Sequence, residues 1–118
     1  MLLEPYESIG RQLAGLGLIA GLRNDDQLIV STQEEPVWPN RGISFWLSHR
    51  SGAWHICTWF GTAYRVPDGQ DITALCVGCM MASNTAMYRV PENIVDQFKL
   101  YELSEQEFDA VFPESAES

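Results

Sequence analysis

Basic residues are scarce in this sequence of 118 residues. It contains seven Lys and Arg and sixteen Asp and Glu, so its formal net charge at pH 7 is −9, and ten of the acidic residues lie in residues 67–118. Proteins bind nucleic acids and anionic membranes through clustered Lys and Arg, and neither half of the sequence contains such a cluster. We therefore expect neither nucleic acid nor a membrane as a partner.

Long apolar runs are missing as well. The longest one, residues 13–22, is interrupted by glycines and is about half as long as the ~20 residues that a membrane-spanning helix requires. The first residues lack the basic region and the apolar run of a signal peptide, and an odd number of cysteines is unusual for a secreted domain built on disulfides. The sequence thus predicts a cytoplasmic protein.

The length and the 46% hydrophobic content predict one domain with a single core. A chain of this size buries roughly two thirds of the surface that its unfolded form exposes, so its stability requires neither a disulfide nor a structural metal. We place the domain at residues 1–112. Residues 113–118, which are acidic and rich in Ser and Ala, are expected to form a flexible tail. No cofactor is predicted.

The spacing of apolar residues predicts an α+β fold. Apolar residues recur at helical spacing in 5–16 and 72–82, while Pro91 and the capping-box sequence from Ser104 to Glu107 mark the starts of two further helices. The segments that resemble strands are 27–32, 43–49, 53–60, 62–66 and 86–90. We expect an antiparallel sheet built around a central hairpin at about 43–66, with the N-terminal helix and the C-terminal helices packed on it.

The pairing within this hairpin follows from its turn. A two-residue turn at Ser51-Gly52 places Arg50 opposite Ala53 and thereby determines every other pair. One face is then mostly apolar and is expected to face the core: Ile43, Phe45, Leu47, His49, Trp54, Ile56, Thr58 and Phe60. The other face combines aromatic with small polar side chains: Ser44, Trp46, Ser48, His55, Cys57 and Trp59.

Two interpretations of this mixed face are open. Aromatic residues with polar neighbours are typical of binding surfaces, because they provide a large contact area with few rotatable bonds. On this interpretation Trp46, His55 and Trp59 are the candidate binding residues. The alternative is structural, because a sheet that is covered by helices on both faces needs apolar residues on both.

The cysteines allow three interpretations. The pair Cys76-x-x-Cys79 has a spacing used by zinc sites, and His55 and Cys57 would complete a Cys3His set of ligands. His55 and Cys57 could alternatively serve a small enzyme as base and nucleophile, although no third residue that would orient the histidine is evident. The structural alternative is that Cys76 and Cys79 fill the core, because both lie on the apolar stripe of the helix 72–82.

No arrangement of residues meets the joint spacing and chemistry that catalysis needs, so we assign no catalytic residue. We interpret the protein as a non-catalytic protein-binding or regulatory module, with either the mixed face or the apolar helix 72–82 as the contact. Its partner would be another protein or a second copy of the chain. The acidic charge could attract a basic partner, or it could serve only to keep the domain in solution.

Overall fold

Helices flank one antiparallel sheet in the computed structural model, which describes residues 6–24, 27–31, 44–58, 61–82 and 89–112. The elements are α1 (Tyr6–Gly15), β1 (Ile19–Asn24), β2 (Gln27–Ser31), β3 (Ser44–Arg50), β4 (Ala53–Cys57), β5 (Ala63–Arg65), α2 (Ile72–Ala82), α3 (Glu92–Phe98), β6 (Tyr101–Glu102) and α4 (Glu105–Val111). The strands lie in sequence order, β1 to β6, and each pairs antiparallel with the next. The predicted α+β fold is confirmed.

The central hairpin has the predicted pairing. Arg50 pairs with Ala53, and the pairs continue from His49 with Trp54 along both strands. Ser51 and Gly52 have φ values of 54° and 75°. Positive φ at both turn residues is what the favoured two-residue hairpin turn requires, because its twist matches that of the strands. The turn therefore determines which side chains of β3 and β4 share a face.

The first face of the sheet carries the main core. Phe45, Leu47 and Ile56 are fully buried there, as predicted for the apolar face of the hairpin. The helices α1, α2 and α3 supply the opposing side chains, which include Leu13, Leu75, Cys76, Cys79, Ile94 and Phe98. The helix α2 lies close to α3 at Gly78, where a Cβ atom would be 3.3 Å from Cδ1 of Ile94.

The second face is covered by the C-terminal helix. Cys57 of β4 and Ala63 of β5 pack there against Phe112, which follows α4, and both are buried. Leu103, Phe108, Val111 and Trp46 pack around this smaller cluster. Both faces of the sheet therefore contribute to the interior, which is the structural alternative considered for the mixed face.

Two strands were not predicted. The glycine-rich segment after α1 was not predicted to be a strand, yet Ile19–Asn24 forms β1, because the backbone of this edge strand pairs with β2. The strand β6 is only two residues long and is defined by its pairing with β5. Residues 86–88 of the expected strand 86–90, residues 59–60 and the tail 113–118 lie outside the described residues, and Arg89 and Val90 are not in a strand.

None of the helices in the described part of the chain combines the length and the hydropathy that crossing a bilayer requires.

Candidate functional site: a pocket between the last helix and the sheet

A row of polar side chains crosses the second face of the sheet. Ser48 of β3 pairs with His55 of β4, His55 pairs with Arg65 of β5, and Arg65 pairs with Tyr101 of β6. Directly paired residues of neighbouring antiparallel strands point to the same face, with Cβ atoms about 4.5 to 5.5 Å apart. The strand order therefore brings together four polar residues that are far apart in the sequence.

The helix α4 lies over this row, and its two ends are anchored differently. At its start, Ser104 Oγ accepts a hydrogen bond from the backbone N–H of Glu107, and the Glu107 carboxylate accepts one from the backbone N–H of Ser104. This is the predicted capping box, and it satisfies donors that a helix start leaves without partners. At its end, Nη1 of Arg50 donates to the Val111 carbonyl at 3.0 Å. The start of the helix is thus closed by its own cap, and its end is held to the sheet by Arg50.

Phe112 extends the contact beyond the last turn of α4. Its ring packs edge-on against His55, with 5.8 Å between ring centroids, and the guanidinium of Arg50 lies 4.9 Å from the centroid of the Phe112 ring. Phe112 thus packs the end of α4 against β3 and β4.

A pocket of about 190 Å³ remains between α4 and the sheet. It is lined by Ser51, Ala53, His55, Arg65, Leu103, Glu107, Ala110 and Val111. Four of these residues are apolar, and the charged pair among them consists of one cation, Arg65, and one anion, Glu107. A mostly apolar pocket with a few polar groups is the general form of a binding site in proteins.

His55 is the buried polar group of this pocket. Only 1% of the residue is exposed, and its Nδ1 has no hydrogen-bond partner among the described residues. Burial lowers the pKa of the imidazole below its ordinary value. Hydrogen bonding with the backbone of Ala53 and Ser48 opposes that shift. His55 is therefore neutral at pH 7.

Arg65 and Glu107 line the pocket and are opposite in charge. The Arg65 guanidinium lies 5.2 Å from the centroid of the Tyr101 ring, and within the described part of the chain no carboxylate is within salt-bridge distance of it. Glu107 accepts hydrogen bonds from the backbone of Ser104 and from the Tyr101 hydroxyl, and these bonds lower the pKa of its carboxyl. The Glu107 carboxyl is therefore ionised at pH 7.

The three candidate binding residues have different positions. His55 lines the pocket, as described above. Trp46 lies on the same face, paired with Cys57, and is half-buried against the cluster under Phe112. Trp59 lies outside the described residues. The structure thus places Trp46 and His55 on one face, as the predicted register requires, with α4 covering part of that face.

The four candidate zinc ligands are not brought together. Cys76 and Cys79 are fully buried in the main core on the first face, whereas His55 and Cys57 lie on the second face. The sheet itself separates the two pairs. Within the described residues no group of three or more His, Cys, Asp or Glu side chains has the geometry to hold a metal ion.

Burial also determines the chemistry of the Cys-x-x-Cys pair. It raises the pKa of the Cys79 thiol to about 12 and raises that of Cys76 as well. The thiolate is the reactive form of cysteine and the form that binds metals, so both thiols are unreactive in the folded state at neutral pH. Their position in the core agrees with the packing interpretation.

His55 and Cys57, the candidate base and nucleophile, share a face but differ in access. His55 lines the pocket, whereas Cys57 does not and is buried beside Ala63 and Phe112. A ligand in the pocket would therefore meet the histidine and not the cysteine.

Three residues of the site were not identified in the sequence. Arg65, Tyr101 and Glu107 join His55 only through the pairing of β4, β5 and β6 and the return of α4 over the sheet. The capping box did identify Glu107 as a structural residue of a helix start. Nothing local in the sequence indicated that the same side chain lines a pocket.

Comparisons with protein-family models, with curated proteins and with solved structures gave no significant match.

Proposed function

We propose that this protein is a non-catalytic protein-binding module, and that the pocket between α4 and the sheet receives one side chain of the partner. The observation that carries this proposal is the pocket itself, a small, mostly apolar space of about 190 Å³ whose lining includes a buried histidine. Protein interfaces commonly depend on a few anchoring side chains that fill such pockets.

The size of the pocket favours a side chain over a metabolite. Pockets that bind drug-sized small molecules have volumes of about 300 to 1,000 Å³, so this one is too small for most of them. A volume of 190 Å³ suits one large amino-acid side chain that enters from a flat surface. The rest of the partner would then contact the exposed surface of α4 and the β3–β4 turn.

The chemistry of the pocket supports binding over catalysis. His55 is the one residue of the lining that suits proton transfer near neutral pH. The lining contains no cysteine, and the described residues contain no cluster that could bind a metal ion. Covalent catalysis requires a nucleophile within hydrogen-bond reach of a base. Cys57, the candidate nucleophile, lies outside the pocket lining.

The surface charge suggests the nature of the partner. Glu105 and Asp109 are exposed on α4, and the formal charge of the whole chain is −9. Complementary charge accelerates association and makes it sensitive to salt. We therefore expect a partner with basic residues around its anchoring side chain, and an association rate that falls as the salt concentration rises.

A substitution that fills the pocket tests the proposal. Ala110 is exposed on α4 and lines the pocket, so Ala110→Leu would occupy part of the space without disturbing the core. Ala74→Leu on α2 is the matched control, because Ala74 is also exposed and lies on the helix layer of the other face. The three proteins are used as baits in extracts of the source organism, and each captured protein is then purified and its affinity measured.

The expected result is a partner that binds the wild type and Ala74→Leu alike and binds Ala110→Leu at least tenfold more weakly, a loss of about 1.4 kcal/mol. Loss of an anchoring contact commonly costs 2 kcal/mol or more, so tenfold is a modest requirement. A partner that binds all three proteins equally would contradict the proposal.

A further inference from the structure

The two outer edges of the sheet differ in how well they are protected. The strand β6 is only two residues long, and the carboxylate of its Glu102 forms an ion pair with Arg89. Short edge strands and charged side chains are common means by which proteins keep a sheet from pairing with another chain. The strand β6 therefore offers little backbone for such pairing.

The opposite edge, β1, has neither protection. It is six residues long, and its first four residues, 19–22, include neither a charged residue nor a proline. The irregularity in its pairing with β2 lies beyond them, between Leu22 and Asn24. In the described part of the chain β1 pairs with β2 alone, so every second N–H and C=O of its backbone faces outward and can pair with a further strand.

Gly21 lies near the middle of this edge and leaves room for a close approach. It is exposed, and a Cβ atom at this position would have no atom of the described residues within 4 Å. A glycine inside a strand often marks a place where another backbone comes close. Leu16, three residues before β1, is 57% exposed and adds apolar surface next to the start of the strand.

The distribution of charge favours a second copy of the chain as the partner of this edge. Residues 1–66 contain five Arg and six Asp and Glu, so the part of the chain that includes β1 is nearly neutral and does not select a charged partner. The acidic β6 lies five strand spacings, about 24 Å, from β1. This is about three times the Debye length of about 8 Å at physiological salt, so the acidic groups of β6 do not oppose contact between two copies at β1.

We propose that two copies of the chain pair through β1, antiparallel and about a two-fold axis at Gly21, so that their sheets form one continuous sheet. Such a contact uses the same segment of both copies. The axis at Gly21 pairs all residues of 19–23 and places Arg23 opposite Ile19 of the other copy, so no charged residue pairs with a like charge. The binding pocket involves β4, β5 and α4, and the dimer leaves it open.

Sedimentation equilibrium of the full chain, from micromolar to millimolar concentration, tests this proposal. Contacts smaller than about 1,200 Å² belong to the weak and transient class, so one strand from each copy should give a dissociation constant on the order of 100 µM. Gly21→Lys should weaken the dimer at least about fivefold, because it places two like charges directly opposite each other. Gln106→Lys is the matched control, because it makes the same change of charge at an exposed position of α4 and should dimerise like the wild type.

Two further substitutions at the same position complete the test. Gly21→Val has room for its side chain, and a pair of β-branched residues across the axis should tighten the dimer about threefold or more. Directly opposite residues of antiparallel strands have Cα atoms about 4.5 to 5.5 Å apart, which is within the range of a disulfide. Mild oxidation should therefore cross-link Gly21→Cys but not Gln106→Cys, since the three native cysteines are buried.

Three results would overturn the proposal. The first is a wild type that stays monomeric at millimolar concentration, which would leave the edge to a different partner or to none. The second is a folded Gly21→Lys protein that dimerises as tightly as the wild type, since its dimer would use another surface. The third is a failure of Gly21→Cys to cross-link. Circular dichroism identifies the folded variants, and Gly21→Val decides the question if Gly21→Lys does not fold.

Discussion

His55 owes its position to the hairpin and its properties to what covers it. The turn at Ser51 and Gly52 places it on the second face, opposite Ser48, and Phe112 then covers its ring. Burial lowers the pKa of the imidazole, and the positive charge of Arg65 acts in the same direction. The strand register thus determines where His55 lies, and its burial keeps the imidazole neutral.

This environment predicts a pH dependence of stability. Because the pKa of His55 is lower in the folded state than its ordinary value of 6.5, the unfolded chain binds a proton first as the pH falls. The stability that His55 contributes is thus fully present above about pH 6.5 and is lost progressively as the pH falls through the window below it. His55→Phe should flatten the dependence of the free energy of unfolding on pH in this window, measured by urea denaturation.

The comparison between the wild type and His55→Phe isolates the contribution of His55 to the pH dependence of stability. The other groups near it, Arg65, His49 and Glu107, are present in both proteins. His55→Phe should also be at least as stable as the wild type at low pH, since it removes a buried nitrogen that lacks a partner. Parallel pH profiles for the two proteins would show that the titrating group lies elsewhere.

At the scale of elements, α4 is a short helix whose stability depends on its ends. Seven residues are fewer than an isolated helix needs to be stable in water, so the cap and the contacts with the sheet must hold it. The capping box at Ser104 and Glu107 and the hydrogen bond from Arg50 to Val111 supply these contacts. The pocket exists only while this helix is in place.

Ser104→Ala is therefore expected to reduce the free energy of unfolding by about 1 kcal/mol, the usual loss when an N-cap serine is replaced. Gln106→Ala is the matched control, because Gln106 is exposed in the same first turn and does not line the pocket. A chemical denaturation series gives both stabilities, and equal values for the two variants would show that the cap does not contribute.

At the scale of the whole molecule, the sheet is an interior layer between two unequal clusters. The first face packs against three helices and the second against one, and the radius of gyration of 13.3 Å agrees with the value of about 13.5 Å expected for a single domain of this length. All three cysteines are buried, and none is in a disulfide. Their reactivity therefore reports on the opening of the whole fold.

We predict that an alkylating reagent labels the native protein slowly and that all three cysteines react rapidly after unfolding in guanidinium chloride. Cys76 and Cys79 are fully buried with raised pKa values, and only 4% of Cys57 is exposed. An Ala82→Cys variant provides the control, because Ala82 is exposed at the end of α2 and should be labelled at once. Mass spectrometry identifies the labelled sites, and rapid native labelling of Cys57 would revive the interpretation of an enzyme.

Local patterns determined the helices and the hairpin. The capping box predicted the start of α4, apolar spacing predicted α2 at 72–82, and the Ser51-Gly52 turn predicted each pair of β3 and β4. These features depend on residues that are near one another in the chain, so a single sequence contains the information. The lack of clusters of Lys and Arg is likewise visible in the sequence alone.

Only the tertiary structure decided which of these residues meet. Arg65 and Tyr101 join His55 because β5 and β6 pair beyond β4, across a connection of 35 residues, 66–100, that contains α2 and α3. The same packing placed Cys76 and Cys79 on one side of the sheet and Cys57 on the other. Such contacts depend on how the helices cover the two faces, which is a property of the assembled core and not of any local pattern.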